Sequence, residues 1–122
     1  DEVLALADFL CLTCNLTPEN RRMINSQTLG MMKSTSYLLN MARGPLVDET
    51  ALAQALQNGK LAGAALDVYE VEPLPADSPF RTMDNVILGS HNANNLQSAN
   101  EYVNRNSVRN LLKGFGEAVD DV

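Results

Sequence analysis

Short apolar runs alternate along the chain with segments whose apolar positions recur every three or four residues. That alternation predicts βαβ units around a parallel sheet. Residues 7–14 read as a first strand. Thr17 then has the chemistry of an N-cap with Pro18 at the first helical position, and Ser26 suits a second cap opening a turn of helix to about Lys33. Tyr37-Leu38-Leu39-Asn40, bounded by Lys33-Ser34-Thr35 and Arg43-Gly44-Pro45, predicts a short buried strand. Asp48 follows as an N-cap, Val47 can staple onto Leu52, and Leu52, Ala55 and Leu56 form one apolar stripe that stops at Gly59.

Residues 61–68 are almost all small and apolar, as a strand buried on both faces requires, and form the third predicted strand. Residues 70–84 carry Pro73, Pro75 and Pro79, which exclude a helix or a central strand and predict a surface loop. Val86-Ile87-Leu88 is a fourth strand. A final helix over residues 95–113 places Leu96, Ala99, Val103 and Leu111 along one stripe before Gly114. The expected class is α/β: about four parallel strands with flanking helices.

At 122 residues the chain has room for one core, and with 45% hydrophobic and 20% charged residues it has the balance of a globular protein. No Trp and 5% aromatic residues leave that core to Leu, Val, Ala and Met. A formal charge of −6 repels a phosphate backbone and argues against nucleic acid. No apolar run reaches the ~20 residues of a membrane span, and Asp1-Glu2-Val3 lacks the basic start of a secretory signal; a cytoplasmic protein is expected. Cys11-Leu12-Thr13-Cys14 is a C-x-x-C pair, but in a strand its odd spacing sends the thiols to opposite faces, and no second pair exists to complete a zinc site. No metal site is expected.

In open α/β sheets ligands gather beyond the carboxyl ends of the strands. Three predicted strands end there in reactive groups: Arg43 after the second, Asp67 and then Glu72 after the third, and the sole histidine, His91, after the fourth. A parallel sheet would bring them to one rim. An arginine fork binds a carboxylate in two places, an imidazole exchanges a proton near neutrality, and a neighbouring carboxylate fixes its tautomer. The bland alternative, a hydrogen-bonded loop histidine, is about equally compatible with topology alone.

Four ordered blocks decide between them: Leu16-Thr17-Pro18-Glu19-Asn20, residues 40–49 (NMARGPLVDE), residues 63–73 (GAALDVYEVEP) and residues 85–91 (NVILGSH). Together they resemble the D-isomer-specific 2-hydroxyacid dehydrogenases, most closely the phosphoglycerate dehydrogenase-like branch. The resemblance implies part of a Rossmann-like doubly wound parallel sheet and hydride transfer between a nicotinamide cofactor and a small 2-hydroxy or 2-oxo acid. It assigns catalytic roles to Arg43, which would hold the substrate carboxylate and polarise the carbonyl, to Glu72, and to His91, the general acid of ketoacid reduction. Glu70 is the tempting wrong choice for the acid. The cofactor side would comprise Cys14, Asn15, Met41, Ala42, Arg43, Asp67, His91, Ala93 and Asn94. NAD is the expected cofactor, with NADP open. A formate dehydrogenase is disfavoured, since that branch places Gln where this chain has Glu72.

The chain departs from the family's pattern at Asn15 in place of a common proline, at Ser34-Thr35 in place of a proline-glycine, and at Asn92-Ala93-Asn94-Asn95 after the histidine. Against the resemblance, residues 1–122 correspond to the C-terminal part of the cofactor domain, without the G-x-G-x-x-G turn and without the substrate domain. The expectations are therefore weak NAD binding and no activity for the chain alone, an exposed apolar edge and face of the first strand, and partnership with the missing half-domain or an identical chain. A homodimer is expected for the full-length protein. A non-enzymatic, corepressor-like scaffold that senses a dinucleotide is the alternative in a different class.

Overall fold

The structure, a computed structural model, describes residues 2–93 and 95–116. It divides into two compact units, Asp1–His91 and Asn92–Val122. The first holds a four-stranded sheet of β1 (Phe9–Leu12), β2 (Tyr37–Asn40), β3 (Gly63–Leu66) and β4 (Val86–Leu88), all parallel and ordered β1-β2-β3-β4. The register sets Leu12, Asn40 and Leu66 side by side at the carboxyl ends. The parallel α/β sheet predicted from the alternation is present with all four strands in their expected places.

The strands are shorter than residues 7–14 and 61–68. The paired register of β1 with β2 ends at Leu12, so Thr13 and Cys14 have left the ladder. Cys14 thus lies beyond the strand, which removes the face argument made for the C-x-x-C pair. Both thiols are exposed and unbridged. Among the described residues no cluster of three or more metal-ligating side chains occurs.

Between β1 and β2 the predicted start at Thr17 and Pro18 is not a helix. The Asn20 side chain accepts the Thr17 amide at 2.8 Å and donates to the Asn15 carbonyl at 2.8 Å, closing a turn, and Arg22 follows at φ 52°, outside helical space. Helix α2 (Ser26–Leu29) opens one residue earlier than predicted, with Asn25 as its cap. The Asn25 side chain accepts the Gln27 and Thr28 amides while the Thr28 hydroxyl accepts the Asn25 amide at 2.8 Å, a reciprocal pair that Ser26 could not make. The helix ends at Gly30, not near Lys33. A short N-terminal helix, α1 (Glu2–Leu6), was not anticipated.

Helix α3 (Glu49–Gln57) follows its prediction closely. Asp48 accepts the Ala51 amide at 3.0 Å, and Val47 and Leu52 are both buried. At the other end Lys60 donates to Ala55 and Gly59 to Leu56, a closure that needs the left-handed φ of 65° at Gly59. The long loop contains one 3-10 turn, Pro79–Thr82, which seats Phe80 in the core.

Alternation along the strands divides the sheet. Leu12, Leu38, Ala64 and Leu66 join Leu29, Leu52 and Leu56 in one apolar core. Phe9, Cys11, Tyr37, Leu39, Ala65 and Ile87 belong to the opposite face, where Phe9 is 68% and Ile87 73% exposed. The exposed strand face expected from the sequence is therefore present, and the Phe9 and Tyr37 rings stack on it at 5.3 Å. The second unit carries α4 (Gln97–Gly114), close to the predicted 95–113. It has no buried residue, and Leu96, Val103 and Leu111 of its stripe are exposed. No described helix is long and apolar enough to cross a membrane.

Candidate active site

The backbone continues the ladder past the strand ends. Met41 donates to Leu12, Asp67 to Asn40, Gly89 to Leu66 and His91 to Asp67, the last two at 2.8 Å. These bonds bring the segments after β2, β3 and β4 to one edge of the sheet, at the carboxyl ends of its strands.

The segment after β2 is shaped by Asn40, 1% exposed. Its side-chain carbonyl accepts the Ala42 amide at 3.1 Å and its amide donates to the Arg43 carbonyl at 3.0 Å. A polar side chain buried at a strand end thus spends its capacity on the turn that presents Arg43. Arg43 is exposed, and its Nη1 donates to the Ala42 carbonyl at 2.6 Å. Directly after it, a Cβ on Gly44 would overlap the Tyr69 carbonyl, so the Arg43 segment and the segment after β3 meet backbone to backbone.

Glu72 closes the second part of the site. One carboxylate oxygen accepts the Tyr69 amide at 3.0 Å and the other lies 2.7 Å from His91 Nδ1. The His91 bond, then the Tyr69 amide, hold the Glu72 carboxyl below the usual carboxylate range, with a smaller contribution from the Arg43 charge. An ionised carboxylate only accepts, so Nδ1 carries the proton and Nε2 is the nitrogen left to exchange one with a ligand. His91 itself adopts φ 58°, a strained conformation for a non-glycine residue that its amide bond to Asp67 and its ring bond to Glu72 hold in place.

Glu72 and His91 border a cavity of about 520 Å³ whose wall includes Tyr69, Leu74, Arg81 and Leu88. The Tyr69 hydroxyl is 2.7 Å from the Gly89 carbonyl and 3.0 Å from that of Leu66, joining the ends of β3 and β4. Burial, and then the Asp67 charge, push its phenol pKa up. Sequence reasoning missed Asn40, Gly44 and Tyr69. A polar residue ending an apolar run was a signal for the first; for the second, nothing local indicates that another loop lies against it.

Of the expected cofactor residues, Cys14 and Asn15 follow β1, Met41 and Ala42 follow β2, and Asp67 follows β3, 7% exposed. Ala42 is buried, with its amide taken by Asn40 and its carbonyl by Arg43. Ala93 lies in a turn of the second unit, and Asn94 falls outside the described residues. The structure thus joins Glu72 directly to His91, and the Arg43 charge favours the ionised Glu72, whereas the cofactor candidates are gathered only by their strand ends.

Residues 1–93 match the family model described as D-isomer specific 2-hydroxyacid dehydrogenase, NAD binding domain. The chain belongs to this family. It is 50% identical over 91 residues to glyoxylate/hydroxypyruvate reductase B of Yersinia pestis (strain Pestoides F), covering 75% of this chain and 28% of that protein. Among solved structures it is similar to a D-isomer specific 2-hydroxyacid dehydrogenase of Xanthobacter autotrophicus Py2 in complex with NADPH and MES, at 45% identity and a TM-score of 0.71 over 72% of this chain and 29% of that one. It is also similar to D-lactate dehydrogenase with NAD+ from Lactobacillus jensenii, at 30% identity and a TM-score of 0.80 over 99% of this chain and 41% of that one. The chain spans less than half the length of each of these proteins.

Proposed function

We propose that this chain is the C-terminal part of the cofactor domain of an NAD(P)-dependent oxidoreductase that interconverts a small 2-oxo acid and its D-2-hydroxy acid. The observation that carries the reading is the 2.7 Å pair of His91 Nδ1 and Glu72 on the sheet edge that also carries Arg43. His91 Nε2 delivers a proton to the carbonyl oxygen during reduction and removes it in the reverse direction. Glu72 fixes the ring and its tautomer, and Arg43 binds the carboxylate and polarises the carbonyl.

A nicotinamide, when bound, supplies or accepts the hydride. The residues present suit the nicotinamide end: Asp67 gives a carboxylate acceptor for carboxamide N–H groups at the end of β3, beside the turn of Met41 and Ala42. Cys14 and Asn15 would face the adenosine half. Pyrophosphate needs backbone donors at a helix N-terminus, and residues 1–122 contain no G-x-G-x-x-G turn to supply them. Tight binding thus calls for the glycine-rich half, and the reading carries a homodimeric, cytoplasmic enzyme. Relatives named as reductases and dehydrogenases do not favour the scaffold alternative.

The test is NADH- and NADPH-dependent reduction of glyoxylate, hydroxypyruvate and pyruvate by a full-length protein carrying this segment. His91→Gln is expected to lower kcat by about 10²-fold or more. Arg43→Ala should raise the ketoacid KM and lower kcat together. Absence of ketoacid-dependent oxidation in the wild-type protein would overturn the assignment.

A further inference from the structure

Glu70, the carboxylate that the mechanism leaves unused, is gripped at both ends. Its amide donates to Glu49 Oε1 at 2.6 Å, and its own Oε1 accepts from Arg22 Nε at 3.1 Å. Glu49 is the first residue of α3, where a carboxylate ordinarily stays in water near the helix end. Here it is half-buried on a backbone amide 21 residues away, and burial raises its pKa in spite of that bond. Such a cost needs a partner worth holding.

Arg22 extends the same grip. Its amide donates to Pro45 at 2.8 Å, Ile24 donates to Leu46 at 3.0 Å, and its Nη1 is 3.9 Å from Asp48. The segment around Arg22 is therefore stitched to the stretch between Arg43 and α3, and from there reaches across to Glu70. Glu70 stands next to Tyr69, whose amide binds Glu72 and whose carbonyl lies against Gly44. The grip thus falls on the turn that sets the Glu72 carboxylate, at the point where it meets the turn that presents Arg43.

We infer that Glu49 and Arg22 are positioning residues, clamping Glu70 from its amide and its carboxylate so that the turn of residues 69–72 holds Glu72 against His91 in register with Arg43. The role in turnover rests on the oxidoreductase reading above; the clamp rests on these bonds alone.

The experiment uses a full-length protein with Glu49→Ala, Glu49→Gln, Arg22→Ala, Glu72→Gln and the Glu49→Ala/Glu72→Gln pair. Gln keeps an acceptor for the Glu70 amide, so Glu49→Gln should hold kcat within about twofold of wild type, whereas Glu49→Ala should lower kcat about tenfold with the dinucleotide KM unchanged. In the Glu72→Gln background Glu49→Ala should cost less than about twofold more, because its effect passes through Glu72. Independent multiplication of the two losses, or a Glu49→Ala protein that melts earlier yet keeps its kcat, would overturn the inference.

Amide exchange at Tyr69 and Glu70 and the low-field Nδ1 proton of His91 supply a readout independent of turnover. Both should be lost in Glu49→Ala and kept in Glu49→Gln; unchanged protection in Glu49→Ala refutes the clamp even if no ketoacid is reduced. Should Glu49→Ala not fold, the exposed Arg22→Ala takes its place, with about threefold lower kcat and weakened Glu70 protection expected, and wild-type protection and kcat refuting.

Discussion

Glu72 does two jobs with two oxygens, taking the Tyr69 amide on one and the His91 ring on the other. Both contacts favour its ionised form, so its folded pKa lies below the ordinary value of 4.5. The sign follows from linkage: a depressed carboxylate pKa adds stability that is fully present above the unfolded value and is lost as pH falls through the folded one. The wild-type protein is therefore expected to lose Tm more steeply than Glu72→Gln as pH drops below about 4.5, with the two curves parallel at neutral pH. Thermal melts across that range check it. Glu49 has the opposite sign: its raised pKa makes its charge a burden that grows as pH rises, so Glu49→Gln should melt no earlier than wild type at pH 7 and lose that margin on acidification. A second expectation concerns Gly44, where any Cβ meets the Tyr69 backbone. Gly44→Ala should cost about 1–3 kcal/mol in denaturant unfolding and lower turnover, because the loops bearing Arg43 and Glu72 must separate to admit it.

Among the elements, α3 is the most readable from sequence. Its signals are local: Asp48 reaches an amide three residues on, and Gly59 takes a positive φ that other residues resist. Asp48→Ala should accordingly destabilise the protein by about 1 kcal/mol, measured by chemical denaturation, with little change at the distant end of the helix. Helix α2 shows where local signals compete. Asn25 and Ser26 are comparable caps, and the choice fell to Asn25 because Thr28 stands at the right distance to reciprocate. Thr17 and Pro18 form a plausible helix start, yet Asn20 folds back on Thr17 and Asn15 and closes the turn first. The lengths of the first and third strands were unreadable for a different reason, whereas β2 and β4 have the predicted bounds. An apolar run tells that a residue can be buried, but a strand ends where its neighbour ends, and that neighbour is remote in sequence.

The open face of the sheet bears on how the 122-residue chain behaves by itself in solution. Phe9, Tyr37 and Ile87 expose apolar surface, and β1 pairs on one side alone among the described residues. Unpaired edges and bare apolar faces recruit partners. The 122-residue chain by itself is expected to self-associate in sedimentation velocity, and Phe9→Ser with Ile87→Thr to shift it toward monomer without loss of helical signal. A wild-type chain that stays monomeric at high concentration would overturn this expectation.

Much of the chemistry was open to reading in one dimension. Arg43, Glu72 and His91 stand in recognisable blocks, apolar runs mark all four strands, and the order of elements implies a parallel sheet whose carboxyl ends share an edge. These properties depend on near neighbours along the chain, where steric preference and hydrogen-bond reach act over a few residues. The resemblance already points to Glu72 as the partner of His91; folding in three dimensions set their contact at 2.7 Å, spent Asn40 on shaping a turn, and placed Glu70 in the hold of Glu49 and Arg22. Each of those contacts joins groups whose spacing is set by packing between segments, through the exclusion of a single Cβ at Gly44 or the capture of one buried amide, and no local pattern of residue types carries that distance.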